Sequence, residues 1–159
     1  MVIRAFTADD QTAARALILE GLGERFGSID ETLNPDLNDI TANYLAAGHV
    51  FLVAEVAGHL VGTAALRFES DGATCQLVRV SVRPEMRRQG TARALVAALL
   101  ALARERGRAT VWVETHEPWQ DAIALYERLG FVEYTRRDGL VFLGLRLASD
   151  DRGYSPAQP

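Results

Sequence analysis

The stretch Val82–Leu100, VRPEMRRQGTARALVAALL, decides how this chain is read. Before it, LVRVSV is β-branched at every second position, the mark of a strand, with Val78, Val80 and Val82 on one face and Arg79, Ser81 and Arg83 on the other. After it comes a run of alanine and leucine, strong helix formers, ending at Gly107 with Arg104 and Arg106 in the last turn. The turn between them puts Arg87 and Arg88 at the start of a helix spanning about Gly90 to Arg106. Cations there oppose the helix dipole, which favours anions at the N-terminus. Gly90 permits close backbone approach or a positive φ, and Thr91 and Ala92 are too small to obstruct a ligand. Strand, cationic turn, glycine and helix start together describe a site for a multiply charged anion. Within residues 79–93 five arginines face one glutamate, on a chain whose net charge is −4. A solvated arginine-rich turn would look the same in isolation. Neither the spaced glycines of a dinucleotide fingerprint nor the Gly-Lys-Ser/Thr of a phosphate loop is present.

Working outward, the pattern alternates strands and helices. VIRAF is a strand, Thr7 is placed to cap a helix, and Ala13, Ala14, Leu17 and Ile18 form its apolar stripe up to Gly21 and Gly23. A polar, turn-rich segment follows, then a second helix over about Asp36 to Ala47. VFLVAEV and LVGTAALRF flank AGH as a hairpin, and ATCQLVRVSV leads into the stretch above. Downstream lie a strand ATVWVET, a helix PWQDAIALYERLG, and a hairpin turning at Asp138-Gly139. The order is β-α-α-β-β-β-α-β-α-β-β, an α/β mixed sheet with helices packed on it. The chain's 159 residues suit one domain over 1–147, with a polar, flexible tail over 148–159.

Composition narrows the function classes. The negative net charge would repel nucleic acid and anionic membrane, so neither is expected as a partner. Cys75 is the single cysteine, no Cys/His cluster has metal-ligand spacing, and no apolar run reaches membrane-spanning length. The first residues lack a signal-peptide pattern, so a reduced cytoplasm is the expected location and no metal is expected.

Arg87-Arg88-Gln89-Gly90-Thr91-Ala92 resembles motif A of the GCN5-related N-acetyltransferases, Gln/Arg-x-x-Gly-x-Gly/Ala, and AIALYERLGF (122–131) resembles motif B. The resemblance covers about residues 2–147. It implies a mostly antiparallel sheet with helices on both faces and acetyl-CoA as co-substrate. It implies pyrophosphate binding by Arg87, Arg88, Gln89, Gly90, Thr91 and Ala92, and backbone pairing of Val80, Ser81 and Val82 with the pantetheine arm. The implied reaction is direct attack of a primary amine (a small amine, an amino acid or a peptide N-terminus) on the thioester. Tyr126 then becomes the candidate general acid near the sulfur, although helical spacing with Ala122, Leu125 and Leu129 also fits a core tyrosine. Many relatives carry a base where this chain has Gln76, and an amide cannot accept the proton. Glu114 is the remaining candidate base by resemblance, and an ordinary exposed carboxylate is the competing reading. Without a strong base, an acceptor of low amine pKa is favoured: a lysine-like amine must shed about 3.4 pKa units at pH 7, an α-amino group about one. Acidic residues between the first two helices would suit a cationic acceptor. A CoA-binding sensor or interaction module with the same fold is the alternative function, and homodimerisation is a further expectation.

Overall fold

The computed structural model describes residues 1–147; the expected tail at 148–159 lies outside the described residues. Seven strands form one sheet in the order β1-β2-β3-β4-β5-β7-β6. They are β1 (Val2–Ala5), β2 (Val50–Val56), β3 (His59–Phe68), β4 (Thr74–Val82), β5 (Thr110–His116), β6 (Val132–Arg137) and β7 (Leu140–Arg146). The helices are α1 (Gln11–Phe26), α2 (Thr91–Glu105) and α3 (Gln120–Arg128). Every pairing is antiparallel except β4 with β5, which α2 connects as a crossover.

Strand alternation sends side chains to two cores. On one face Leu52, Ala64, Leu66, Leu77, Val111 and Val113 meet the α2 stripe Leu95, Val96, Leu99, Leu100 and Ala103, together with Ile123 and Tyr126 of α3. On the other face Phe51, Val53 and Ala65 meet Leu17 and Ile18 of α1 and the buried Leu37, Ile40 and Tyr44. The mixed, mostly antiparallel sheet with helices on both faces is therefore the architecture of this chain. Each fully buried leucine contributes about 1.5–3 kcal/mol relative to exposure. Two-residue turns at Ala57-Gly58 and Asp138-Gly139 close the expected hairpins, all four residues having positive φ, as turns matching strand twist require.

Four local expectations are corrected. First, α1 does not stop near Gly21 and Gly23 but runs through both to Phe26, where Gly27 (φ 77°) ends it. A Cβ at Gly21 would stand 2.9 Å from Ser81 Oγ, so the glycine lets the helix lie against β4. Second, in its stripe Ala13 is exposed and Leu19 is buried instead. Third, the continuous helix over Asp36–Ala47 is a 3₁₀ turn (Pro35–Asn38) followed by a single π turn (Thr41–Leu45). The Gln11 side-chain amide takes the Leu37 carbonyl (2.8 Å) and the Ile40 N–H (2.9 Å), groups that a continuous helix would bond internally. Fourth, Val78, Val80 and Val82 do not share one face. Arg79 has φ 55°, and the β3 pairing passes from Ala65↔Val78 to Thr63↔Ser81, so two β4 residues oppose Ala64. This bulge puts Val78 against the α1-side core and Val80 against the α2-side core. Thr63 Oγ1 donates to the Arg79 carbonyl at 2.8 Å, satisfying the acceptor that the bulge displaces.

Candidate active site

The parallel ladder between β4 and β5 holds from Thr74↔Thr110 to Leu77↔Val113 and stops there. Beyond that point Val78–Val82 and Glu114–His116 continue as strand without pairing to each other. Their divergence opens a cleft of about 1680 Å³. Val80, Ser81 and Val82 line one wall, Glu114, His116 and Tyr126 the other, and the C-terminal half of α1 crosses its front.

At one end of the cleft β4 passes through the 3₁₀ turn Pro84–Met86 into the start of α2. Arg88 (φ 60°) and Gly90 (φ 82°) both hold left-handed backbone. Among the described residues none of the N–H groups of residues 88–93 finds a hydrogen-bond acceptor. A run of such donors at the positive end of a helix dipole is a cradle for phosphate oxygens. Arg87, Arg88, Gly90, Thr91 and Ala92 line the cleft, and the Thr91 hydroxyl is turned back to the Met86 carbonyl (3.4 Å). Gln89 is not among the lining residues, and its side chain donates to the Glu85 carbonyl at 2.9 Å, so it shapes the turn.

The arginine surplus is smaller than the local sequence implies. Arg87 makes a two-pronged bond to Glu24 of α1 (2.7 and 2.8 Å), Arg83 lies 3.7 Å from Glu20, and Arg79 is paired with Asp36. Arg88 and Arg93 have no carboxylate partner among the described residues. Glu24 therefore holds Arg87 beside the cradle, and the Arg87 guanidinium in turn keeps that carboxyl below its ordinary range.

Tyr126 is a core residue that also borders the cleft. Its side chain is 6% exposed and part of the α2-side core, yet it lines the cleft, and its hydroxyl bonds to no described residue. Burial pushes the phenol well above the usual tyrosine range, so it holds its proton at any physiological pH. Gln76 and Glu114 both line the cleft, Gln76 half-buried and Glu114 exposed on the β5 wall. Trp119 packs against His116 (4.3 Å between centroids) and Phe26 (5.3 Å). Arg25 lies 4.5 Å over the Trp119 ring and forms a two-pronged pair with Asp121 (3.0 and 2.8 Å).

Residues 17–131 match the family model of the acetyltransferase (GNAT) family. The chain belongs to that family. The mouse N-acetyltransferase 8 is 39% identical over 108 residues, 65% of this chain and 48% of the relative. The chain thus spans about half the length of the first curated relatives it matches. A protein of Escherichia coli K12 named as the uncharacterized N-acetyltransferase YjgM is 30% identical over 135 residues, covering 82% of this chain and 81% of its own. The fold is that of a GNAT acetyltransferase from Staphylococcus aureus Mu50, with a TM-score of 0.85 at 22% identity over 92% of this chain and 99% of the other. The Salmonella typhimurium acetyltransferase yncA, solved with acetyl-CoA, aligns at a TM-score of 0.75 and 22% identity, 99% of each chain being covered.

This GNAT chain carries a polar network at the other end of its cleft that sequence reading missed. Asp36 accepts from Arg79 Nε (3.0 Å), Arg79 Nη2 (2.6 Å) and the Tyr44 hydroxyl (2.6 Å). Arg79 Nη1 reaches Asn34 Oδ1 (3.0 Å), and Arg67 Nη2 donates to Tyr44 Oη (3.0 Å). Burial alone would raise the Asp36 carboxyl, but the hydrogen bonds from Arg79 and Tyr44 outweigh it and hold it below its ordinary range. No spacing rule links residues 34, 36, 44, 67 and 79; a β-bulge and a broken helix bring them together. The acidic loop is also consumed internally. Asp30 caps Thr32 (3.0 Å), Asp39 caps Ala42 (2.9 Å), and Glu31 lies 3.3 Å from Arg15.

Proposed function

We propose that residues 1–147 form one N-acetyltransferase domain that moves the acetyl group of acetyl-CoA to a primary amine by direct attack. The observation that carries this reading is the opening of the parallel β4–β5 pair directly beside the unpaired N–H groups of residues 88–93. In this reading Val80, Ser81 and Val82 offer backbone groups to the pantetheine arm, as an added strand would use them. The amides of residues 88–92 hold the pyrophosphate, helped by the Arg88 and Arg87 charges, while Gln89 acts only by shaping the turn. Bound acetyl-CoA supplies the activated acyl group. The amine nitrogen bonds to the carbonyl carbon as the carbon–sulfur bond breaks. The amine then sheds its proton to Glu114 or to water, and the sulfur takes one from the Tyr126 hydroxyl. The buried free thiol of Cys75, the single cysteine, fits a cytoplasmic setting.

Release of free CoA across an amine panel, together with calorimetric binding of acetyl-CoA, tests the reading. Tyr126→Phe should lower kcat by about 100-fold and leave acetyl-CoA affinity within about threefold. In the parent protein kcat should show no falling limb assignable to Tyr126 up to about pH 10, because burial keeps the phenol protonated. Absence of acetyl-CoA binding would overturn the proposal. Tight binding with no turnover of any amine would favour the sensor alternative, to which Gln76 at the expected base position lends support.

A further inference from the structure

We propose that Arg67 binds a carboxylate on the acceptor, so that the preferred substrate of this transferase is an amino acid or a derivative keeping its free carboxylate. The inference rests on the acetyltransferase reading above and names its substrate class. Arg67 sits on β3 directly opposite Gln76 of β4, which lies one pair before the end of the β4–β5 ladder, and Arg67 and Gln76 both line the cleft. Its guanidinium carbon lies 4.6 Å over the ring of Tyr44, which is completely buried, and Nη2 is tied to Tyr44 Oη. The group is thus held in one place while about a third of its side chain stays exposed to the cleft.

Charge in this corner does not balance. Two guanidiniums share the single carboxylate of Asp36, which already takes three hydrogen bonds from Arg79 and Tyr44 and lies 3.7 Å from Arg67. No other carboxylate pairs with Arg67 or Arg79 among the described residues. Arg67 Nε and Nη1 donate to nothing described here, leaving planar donors of the kind that carboxylates engage in pairs. The uncompensated charge is felt nearby: after burial, Arg67 is the second cause holding the His49 imidazole below its ordinary range. Across the cleft Glu114 presents the opposite sign, so the two walls complement a zwitterion, carboxylate toward β3 and ammonium toward β5.

Matched acceptors separate this role from a structural one. With acetyl-CoA saturating, leucine, alanine and phenylalanine are compared with their carboxamides. The parent protein should prefer each acid by about 10- to 100-fold in kcat/KM, mainly through KM. Arg67→Met should bring each pair within about threefold while leaving the amides unchanged, and Arg67→Lys should restore part of the preference. Equal rates for acid and amide in the parent, or an equal loss for both in Arg67→Met, would overturn the inference. Calorimetry on the CoA-loaded protein with N-acetyl-leucine and its amide makes the same comparison without turnover, and equal affinities there count equally against it. Failure of acetyl-CoA itself to bind would instead overturn the acetyltransferase reading, and this one with it.

Discussion

Arg88 (φ 60°) and Ala57 (φ 50°) both hold left-handed backbone that a side chain disfavours by about 1–2 kcal/mol. Ala57 does so in a hairpin turn, Arg88 among the unpaired amides proposed to hold the pyrophosphate. Replacing either by glycine should raise unfolding stability in urea by about 0.5–1 kcal/mol, the gain being trimmed by the freer unfolded chain. Only Arg88→Gly should also weaken acetyl-CoA, by about fivefold or more in calorimetry, because it removes a cation without a carboxylate partner. At this scale the sequence was informative where one residue type has one use. Gly90 needed its positive φ, and the Asp138-Gly139 turn formed as its residues demand. The left-handed Arg88 and Arg79 carry no such mark, since arginine is chosen there for its charge and the surroundings impose the backbone.

The C-terminal turn of α1 acts as a unit, sending Glu24 to Arg87, Arg25 to Asp121 and Trp119, and Phe26 to His116. These exposed ion pairs add little to stability and are screened by salt, but they place a carboxylate beside the unpaired amides at the start of α2. Glu24→Gln should therefore leave Tm nearly unchanged and lower KM for acetyl-CoA about two- to fivefold at low ionic strength, the gain shrinking as salt is added. An equal effect at high and low salt would point to packing instead. Elements with one dominant period were legible: α2 has its stripe, and the hairpins their alternation. The far end of α1 was not, because glycines that usually end a helix are used here for close approach to β4. The Asp36–Ala47 segment failed for a comparable reason, since a single side chain, Gln11, took the backbone groups its periodicity would have paired.

Across the whole molecule, acid stability depends on carboxylates whose partners come from distant parts of the chain. The Arg4 hydrogen bonds hold Asp10 low, and Asp36 is held low by Arg79 and Tyr44 against its burial. A carboxyl depressed in the folded state adds stability that is complete above its unfolded value, near 3.9, and fades as pH falls through its folded one. The urea midpoint should thus drop steeply on going below about pH 4, and Asp36→Asn should lower it at neutral pH while flattening that descent. A variant descending as steeply as the parent would remove Asp36 from the account. The layer order and the left-handed Gly90 turn at the start of α2 were readable because they lie within continuous stretches. The polar network around Asp36 was not, being assembled from five positions spread over residues 34–79. The four-pair ladder at Thr74–Leu77 has a mechanical consequence as well. It makes the sheet two stiff plates, β1–β4 and β5–β7, joined along a short seam, so anything wedged between their free edges works as a brace. Amide exchange along that seam, rather than at the cleft walls alone, should slow when the wedge is in place.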